Sequence, residues 1–186
     1  MKVIQKQKKC NVWLWKLYAL KLNNKKWDYA MVSKTWNIAQ VEGTIAFAID
    51  SFWNTVLIKT YRHAIDKYSI ECVRWTLEPN ISVEENALKE FQEETGVKKQ
   101  PLKVTALSNN YSADGGIIWG LNSIVLLEFD KLETCPVYWK QDGKNEGIVD
   151  VMLVSLQELG EMIKSGEVFD GFTISTYGLL KAYGYI

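Results

Sequence analysis

The run Lys89-Glu90-Phe91-Gln92-Glu93-Glu94-Thr95-Gly96-Val97 constrains this chain most, because it reads as the end of an amphipathic helix with an acidic side. With about 100° of rotation per residue, Glu90, Glu93 and Glu94 share one face, while Ala87, Leu88 and Phe91 turn toward another. Like charges at this spacing repel by roughly 0.2–0.5 kcal/mol per pair, so their clustering calls for counter-charges or a bound cation. Hard oxygen ligands of this kind suit Mg²⁺ or Mn²⁺. A solvated face, with Lys89 and Glu93 as an ordinary four-residue ion pair, is the plainer alternative.

Both ends of this helix are written in the sequence. Ser82 followed by Glu85 is a capping-box pattern, and Gly96 supplies a residue that tolerates the left-handed conformation. The helix is predicted from about Val83 to Thr95. Ser155 with Glu158 repeats the pattern and predicts a second helix that stops at Gly166, and a last helix is predicted over about Thr173 to Tyr183. Ahead of the acidic helix, Val12 to Leu22 alternates like a strand. With Asn23-Asn24 as a turn and a second strand from about Trp27 to Lys34, it builds an N-terminal β-ribbon. Thr44 to Ile49 and Thr55 to Thr60 bracket a turn at Asp50 to Asn54, and Ser123 to Phe129 is an apolar run of strand length. Together they predict a mixed sheet in an α+β chain.

The composition excludes several classes. Lysine plus arginine equals 22 and aspartate plus glutamate equals 22, so the chain has no net charge and no electrostatic footprint for nucleic acid. Its 186 residues, 47% of them hydrophobic, suffice for one domain with an extension. Cys10, Cys72 and Cys135 are odd in number and widely spaced, which points to a reducing compartment rather than a disulfide framework or zinc site. The apolar stretch after Lys2, Lys6, Lys8 and Lys9 is short and interrupted by Lys16 and Lys21. It fits neither a membrane span nor a signal, and the expectation is a cytoplasmic protein with no membrane partner.

Residues 89 to 97 resemble the second half of the Nudix signature, Arg-Glu-apolar-x-Glu-Glu-x-Gly-apolar, with Lys89 in place of arginine. The same register puts Trp75 at the signature glycine and Ile81 at its first glutamate. Thr55 to His63 is similar to the strand and basic turn that precede the box in ADP-ribose pyrophosphatases, and Glu71-Cys72-Val73 stands where they read Glu-Leu-Pro. Val149 to Leu156, Met162 to Val168 and Thr173-Ile174 resemble their closing strand, helix and Ser-Gly turn. The resemblance spans residues 27 to 182. It implies a Nudix fold, an α/β/α sandwich around a mixed sheet, over residues 43–186, preceded by a β-ribbon in residues 1–42 that serves dimerisation.

The roles the resemblance implies fall on particular residues. Glu90, Glu93 and Glu94 would bind the metal, with Glu93 and Glu94 also catalytic, and Arg62 would face phosphate. Glu146, in Asn145-Glu146-Gly147-Ile148, would supply a further catalytic carboxylate. Trp15 and Trp27 stand where this subfamily stacks the adenine base across a homodimer, although indoles also fill cores and interfaces. Ser112 to Gly116 resembles the loop that follows the box. The function so implied is Mg²⁺-dependent hydrolysis of the diphosphate bond of a nucleotide sugar, ADP-ribose first among them. Trp75, Ile81 and Lys89 hold open an alternative, a Nudix-fold module that binds a nucleotide or a protein without cleaving it, since lysine lacks the fork of arginine.

Overall fold

The protein is described by a computed structural model over residues 3–12, 15–22, 29–33, 41–114, 118, 120–133 and 147–186. In chain order the elements are β1 (Val3–Val12), β2 (Trp15–Leu22), β3 (Tyr29–Ser33), β4 (Val41–Asp50), β5 (Asn54–Arg62), β6 (Lys67–Glu71), β7 (Val73–Thr76), α1 (Val83–Thr95), β8 (Lys103–Tyr111), β9 (Leu121–Phe129), β10 (Ile148–Ser155), α2 (Leu156–Ser165) and α3 (Gly171–Ala182). No described helix is long and apolar enough to cross a membrane.

Strand β4 explains the architecture. From Gly43 to Asp50 it is continuously buried, the signature of a strand covered on both faces. Ile45, Phe47 and Ile49 join a core with Leu156, Leu159 and Met162 of α2 and Leu180 of α3. The alternate residues Ala46 and Ala48 join a second core with Ala87 and Phe91 of α1. Period-two alternation in one strand thus divides two hydrophobic layers, and the result is an α/β/α sandwich.

The described strands lie in three sheets. The order β7-β4-β9-β8 is mixed, with β4 and β9 parallel and the outer pairs antiparallel. The order β10-β5-β6 is antiparallel throughout. At the N-terminus β1, β2 and β3 form an antiparallel sheet of their own. The expected two-strand ribbon is therefore a three-stranded sheet, because the lysine-bearing segment before Val12 pairs with β2. The predicted Asn23-Asn24 turn lies outside the described residues.

Local chemistry sets the boundaries. Helix α1 begins at a complete capping box: Ser82 Oγ accepts from Glu85 N at 3.1 Å, and Glu85 Oε2 accepts from Ser82 N at 2.9 Å. It ends at Gly96, whose φ of 75° is left-handed. Helix α2 has the first half of the same device, Ser155 Oγ accepting from Glu158 N at 3.0 Å. Helix α3 starts two residues before the predicted Thr173, because Asp170 caps it by accepting from Thr173 N at 2.9 Å.

The β4–β5 turn is built on one buried carboxylate. Asp50 accepts from the amides of Phe52 at 2.9 Å, Asn54 at 2.8 Å and Leu132 at 3.0 Å. Burial would raise its pKa, but the bonds from Leu132 and Asn54 outweigh it and hold the carboxyl below its usual range.

Phe91 is fully enclosed, with its ring 5.8 Å from that of Phe129. Phe91→Ala should lower unfolding stability by about 3–4 kcal/mol through lost burial and a residual cavity. Urea denaturation followed by circular dichroism measures this; a loss under about 1 kcal/mol would mean that α1 is not clamped to the sheet as described.

Candidate active site

A cavity of about 390 Å³ opens where the starts of β4 and β9, the end of β5, strand β7 and the first turn of α3 converge. Register determines which side chains it receives. Trp75 lies opposite Thr44, and Arg74 lies opposite Ile45, so the two point to opposite faces. Arg74 goes toward α3. Trp75 goes toward α1 and remains 42% exposed on the cavity wall. The backbone at Trp75 is strand, paired in the ladder with β4, so this position makes no demand for glycine. Gly43 does face a tight approach: a Cβ there would sit 2.9 Å from the carbonyl oxygen of Trp75 and 2.5 Å from Asn122 Oδ1.

The electrostatic centre is Glu71, 1% exposed at the end of β6. Arg62 grips it in a fork, Nε donating to Oε1 at 2.9 Å and Nη2 to Oε2. Arg74 Nη2 donates to the same Oε2 at 3.0 Å and lies 3.4 Å from Asp170 Oδ1. Burial alone would raise the Glu71 pKa; the Arg62 hydrogen bond and the Arg74 charge reverse that, and the carboxyl titrates below its ordinary value. The hydrogen bond to Glu71 holds the Arg62 pKa above its ordinary value, and the charges of Asp170 and Glu94 contribute to this. Cys72 adjoins the cluster as an inert thiol. Burial, and next the charge of Asp170, push its pKa to about 12.

The helix carboxylates divide. Glu90 and Glu94, one turn apart on α1, are buried at 5% and 6% exposure, whereas Glu93 faces solvent. Burial of two carboxylates on one helix face fits hard-cation chemistry better than an idle solvated surface. Among the described residues no three acidic, histidine or cysteine side chains converge into a preformed metal cage. Mg²⁺ does not need one, since it commonly takes one or two carboxylates and completes its shell with water and substrate phosphates. The donor set present fits that mode.

Lys89 makes an ion pair with Glu78, in the loop before α1. Glu78 lies three residues before Ile81. Asn86 fixes that loop, accepting from Glu78 N at 3.0 Å and donating to Thr44 Oγ1 at 2.7 Å.

Of the remaining sequence-predicted residues, Arg62 lines the cavity. Trp15 opens β2. Trp27 and Glu146 lie outside the described residues. Gly147 accepts from Tyr61 N at 3.3 Å, so the chain re-enters the described structure beside the Arg62 end of β5. The N-terminal sheet borders the cavity through a bridge between Val32 and the cavity residue Ile118. The sequence reading missed Arg74, Glu42, Asn122 and Phe172 as cavity residues. The signal for Arg74 was its place three residues after Glu71 and next to Trp75; Phe172 stands two residues after the Asp170 cap.

No family model matches the chain. It is similar in sequence to the ADP-ribose pyrophosphatase of Bacillus subtilis (strain 168), 26% identical over 137 residues that cover 73% of this chain and 70% of that one. In structure it is similar to an ADP compounds hydrolase, with a TM-score of 0.74, 17% identity, and coverage of 100% of this chain and 96% of the other. The fold is that of the Nudix hydrolases.

Glu71→Gln leaves two arginines facing a neutral amide and should destabilise the fold by about 3 kcal/mol, the low end for breaking a buried pair, since Arg62 is partly solvated. The depressed folded-state pKa of Glu71 makes its contribution complete above the unfolded carboxylate value of about 4.3 and lost as pH falls through the folded value. Thermal melts from pH 7 down to 3 should therefore show a shallower acid slope in the variant. An equally steep slope would contradict this role.

Proposed function

We propose that the protein is a divalent-cation-dependent hydrolase of the diphosphate bond in nucleoside diphosphate sugars, with ADP-ribose the leading substrate. The observation that carries this reading is the pair of buried carboxylates, Glu90 and Glu94, one helical turn apart and electrostatically coupled through Glu94 to Arg62 on the cavity wall. A cation there would neutralise the diphosphate and lower the pKa of a bound water.

Glu90 and Glu94 would supply oxygens to the cation, and solvent-facing Glu93 would reach it from the rim. Arg62, held in place by Glu71, would orient a phosphoryl group from a fixed position, which favours catalysis because little reorganisation is left to make. Glu146 would act as general base from the segment that enters β10 beside Arg62. Trp15 and Trp27 would stack the base. Residues 1–42 would form the dimer contact of the Nudix domain in residues 43–186, with the exposed Leu17 of β2 as part of it.

One observation favours a second reading, binding without cleavage. Trp75, in strand β7, and Ile81, in the loop before α1, stand at two signature positions, and Lys89 is engaged by Glu78.

Incubation with ADP-ribose and a panel of nucleotide sugars, with Mg²⁺, Mn²⁺ or chelator and chromatographic separation of products, decides between them. The hydrolase reading expects metal-dependent release of a nucleoside monophosphate, and a loss in kcat of about 100-fold or more for Glu94→Gln. Metal-independent binding of ADP-ribose without product would establish the second reading instead. Light scattering tests the dimer, which deletion of residues 1–42 should dissociate; an unchanged mass would contradict it.

A further inference from the structure

We infer that Arg74 is a second substrate-binding arginine, and that Arg62 and Arg74 together form a clamp for two linked phosphoryl groups. This rests on the proposal that a diphosphate occupies the cavity, and it adds a residue that the sequence reading assigned no role.

Both arginines line the same cavity, one from β5 and one from β7. Both bond the same oxygen of Glu71 through Nη2, which fixes them side by side. Their donors are only partly used. Arg62 commits Nε and Nη2 to Glu71, while Arg74 commits Nη2 and its buried Nε makes no hydrogen bond. The plane of Arg74 is held from one side by Phe172, whose ring centroid is 4.2 Å from the guanidinium carbon. It is held at its edge by Asp170, the carboxylate that caps α3. Glu71 and Asp170 balance the two positive charges, so the clamp is neutral before ligand arrives. A neutral, rigid pair of forks selects by geometry rather than by net charge, and two adjacent guanidiniums match two adjacent phosphoryl groups. The clamp should therefore discriminate pyrophosphate from orthophosphate.

Calorimetric titration of inorganic pyrophosphate and of inorganic phosphate, in Mg²⁺, into wild type, Arg74→Gln and Arg74→Lys tests this, with thermal midpoints recorded alongside. Wild type should prefer pyrophosphate. Arg74→Gln should weaken pyrophosphate by about tenfold, the effect of one lost charge-assisted hydrogen bond, and leave orthophosphate nearly unchanged. Arg74→Lys keeps a positive charge beside Glu71 and Asp170, so it should fold with a near-native midpoint yet still lose several-fold in pyrophosphate affinity. If Arg74→Gln fails to fold, the lysine variant decides alone. A folded Arg74→Lys protein with wild-type pyrophosphate affinity, or a wild type indifferent to the two anions, overturns the clamp. The two claims also separate by turnover. Arg74-dependent pyrophosphate binding without ADP-ribose hydrolysis keeps the clamp and removes the hydrolase, and hydrolysis with Arg74-independent binding does the reverse.

Discussion

Burying the Glu71 carboxylate obliges much of the surrounding structure to answer it. A carboxylate taken out of water is costly unless paired and hydrogen-bonded, and this one is met by a forked Arg62 and by Arg74. Arg74 in turn engages Asp170, and Asp170 caps α3 while accepting from the hydroxyl of Thr173 at 2.8 Å. Thr173 Oγ1 accepts from Cys72 N at 2.9 Å, which closes the circuit from α3 back to the strand edge beside Glu71. Strands β5, β6 and β7 and helix α3 thus meet at one charge, and the cavity lies where they meet. The same contacts that dock α3 therefore position the guanidinium groups of the site.

The site also shows how a strand accommodates residues foreign to a family pattern. A glycine is required where the backbone must take positive φ or where another chain comes too close for a Cβ. At Trp75 neither condition holds, because the residue sits in a β-ladder with Thr44. A close approach is instead found at Gly43 on the neighbouring strand. Lys89 likewise finds its carboxylate at Glu78, in a loop that Asn86 ties to α1 and β4. This pair is about 40% exposed on both sides, so it contributes direction more than stability.

Helices were most legible in the sequence, because their signals are local. Ser82, Glu85 and Gly96 bound α1 at Val83 and Thr95, as the capping chemistry predicts. Helix α3 was placed less well because its cap, Asp170, also pairs with a distant arginine, and no pattern within the helix announces that. Strands β4, β5 and β9 were visible as apolar runs because both faces are covered. Strand β8 has polar residues at Ser108, Asn109 and Asn110 and is defined by its pairing with β9, a non-local fact. Helical spacing put Glu90, Glu93 and Glu94 on one side of α1, but the burial of Glu90 and Glu94 and the exposure of Glu93 follow from how α1 packs. Arg74 and Phe172 were missed because they come together only through the fold, across about a hundred residues of chain.

The central claim is that Glu90 and Glu94 hold a divalent cation together with a diphosphate. An electron paramagnetic resonance titration of Mn²⁺ with ADP present, on wild type and on Glu94→Gln, tests it most directly. Wild type should sequester Mn²⁺ only when ADP is present, and Glu94→Gln should lose that sequestration while keeping its fold. Equal retention of Mn²⁺ by the two proteins, or none by either, would contradict the assignment of α1 as the metal-binding helix.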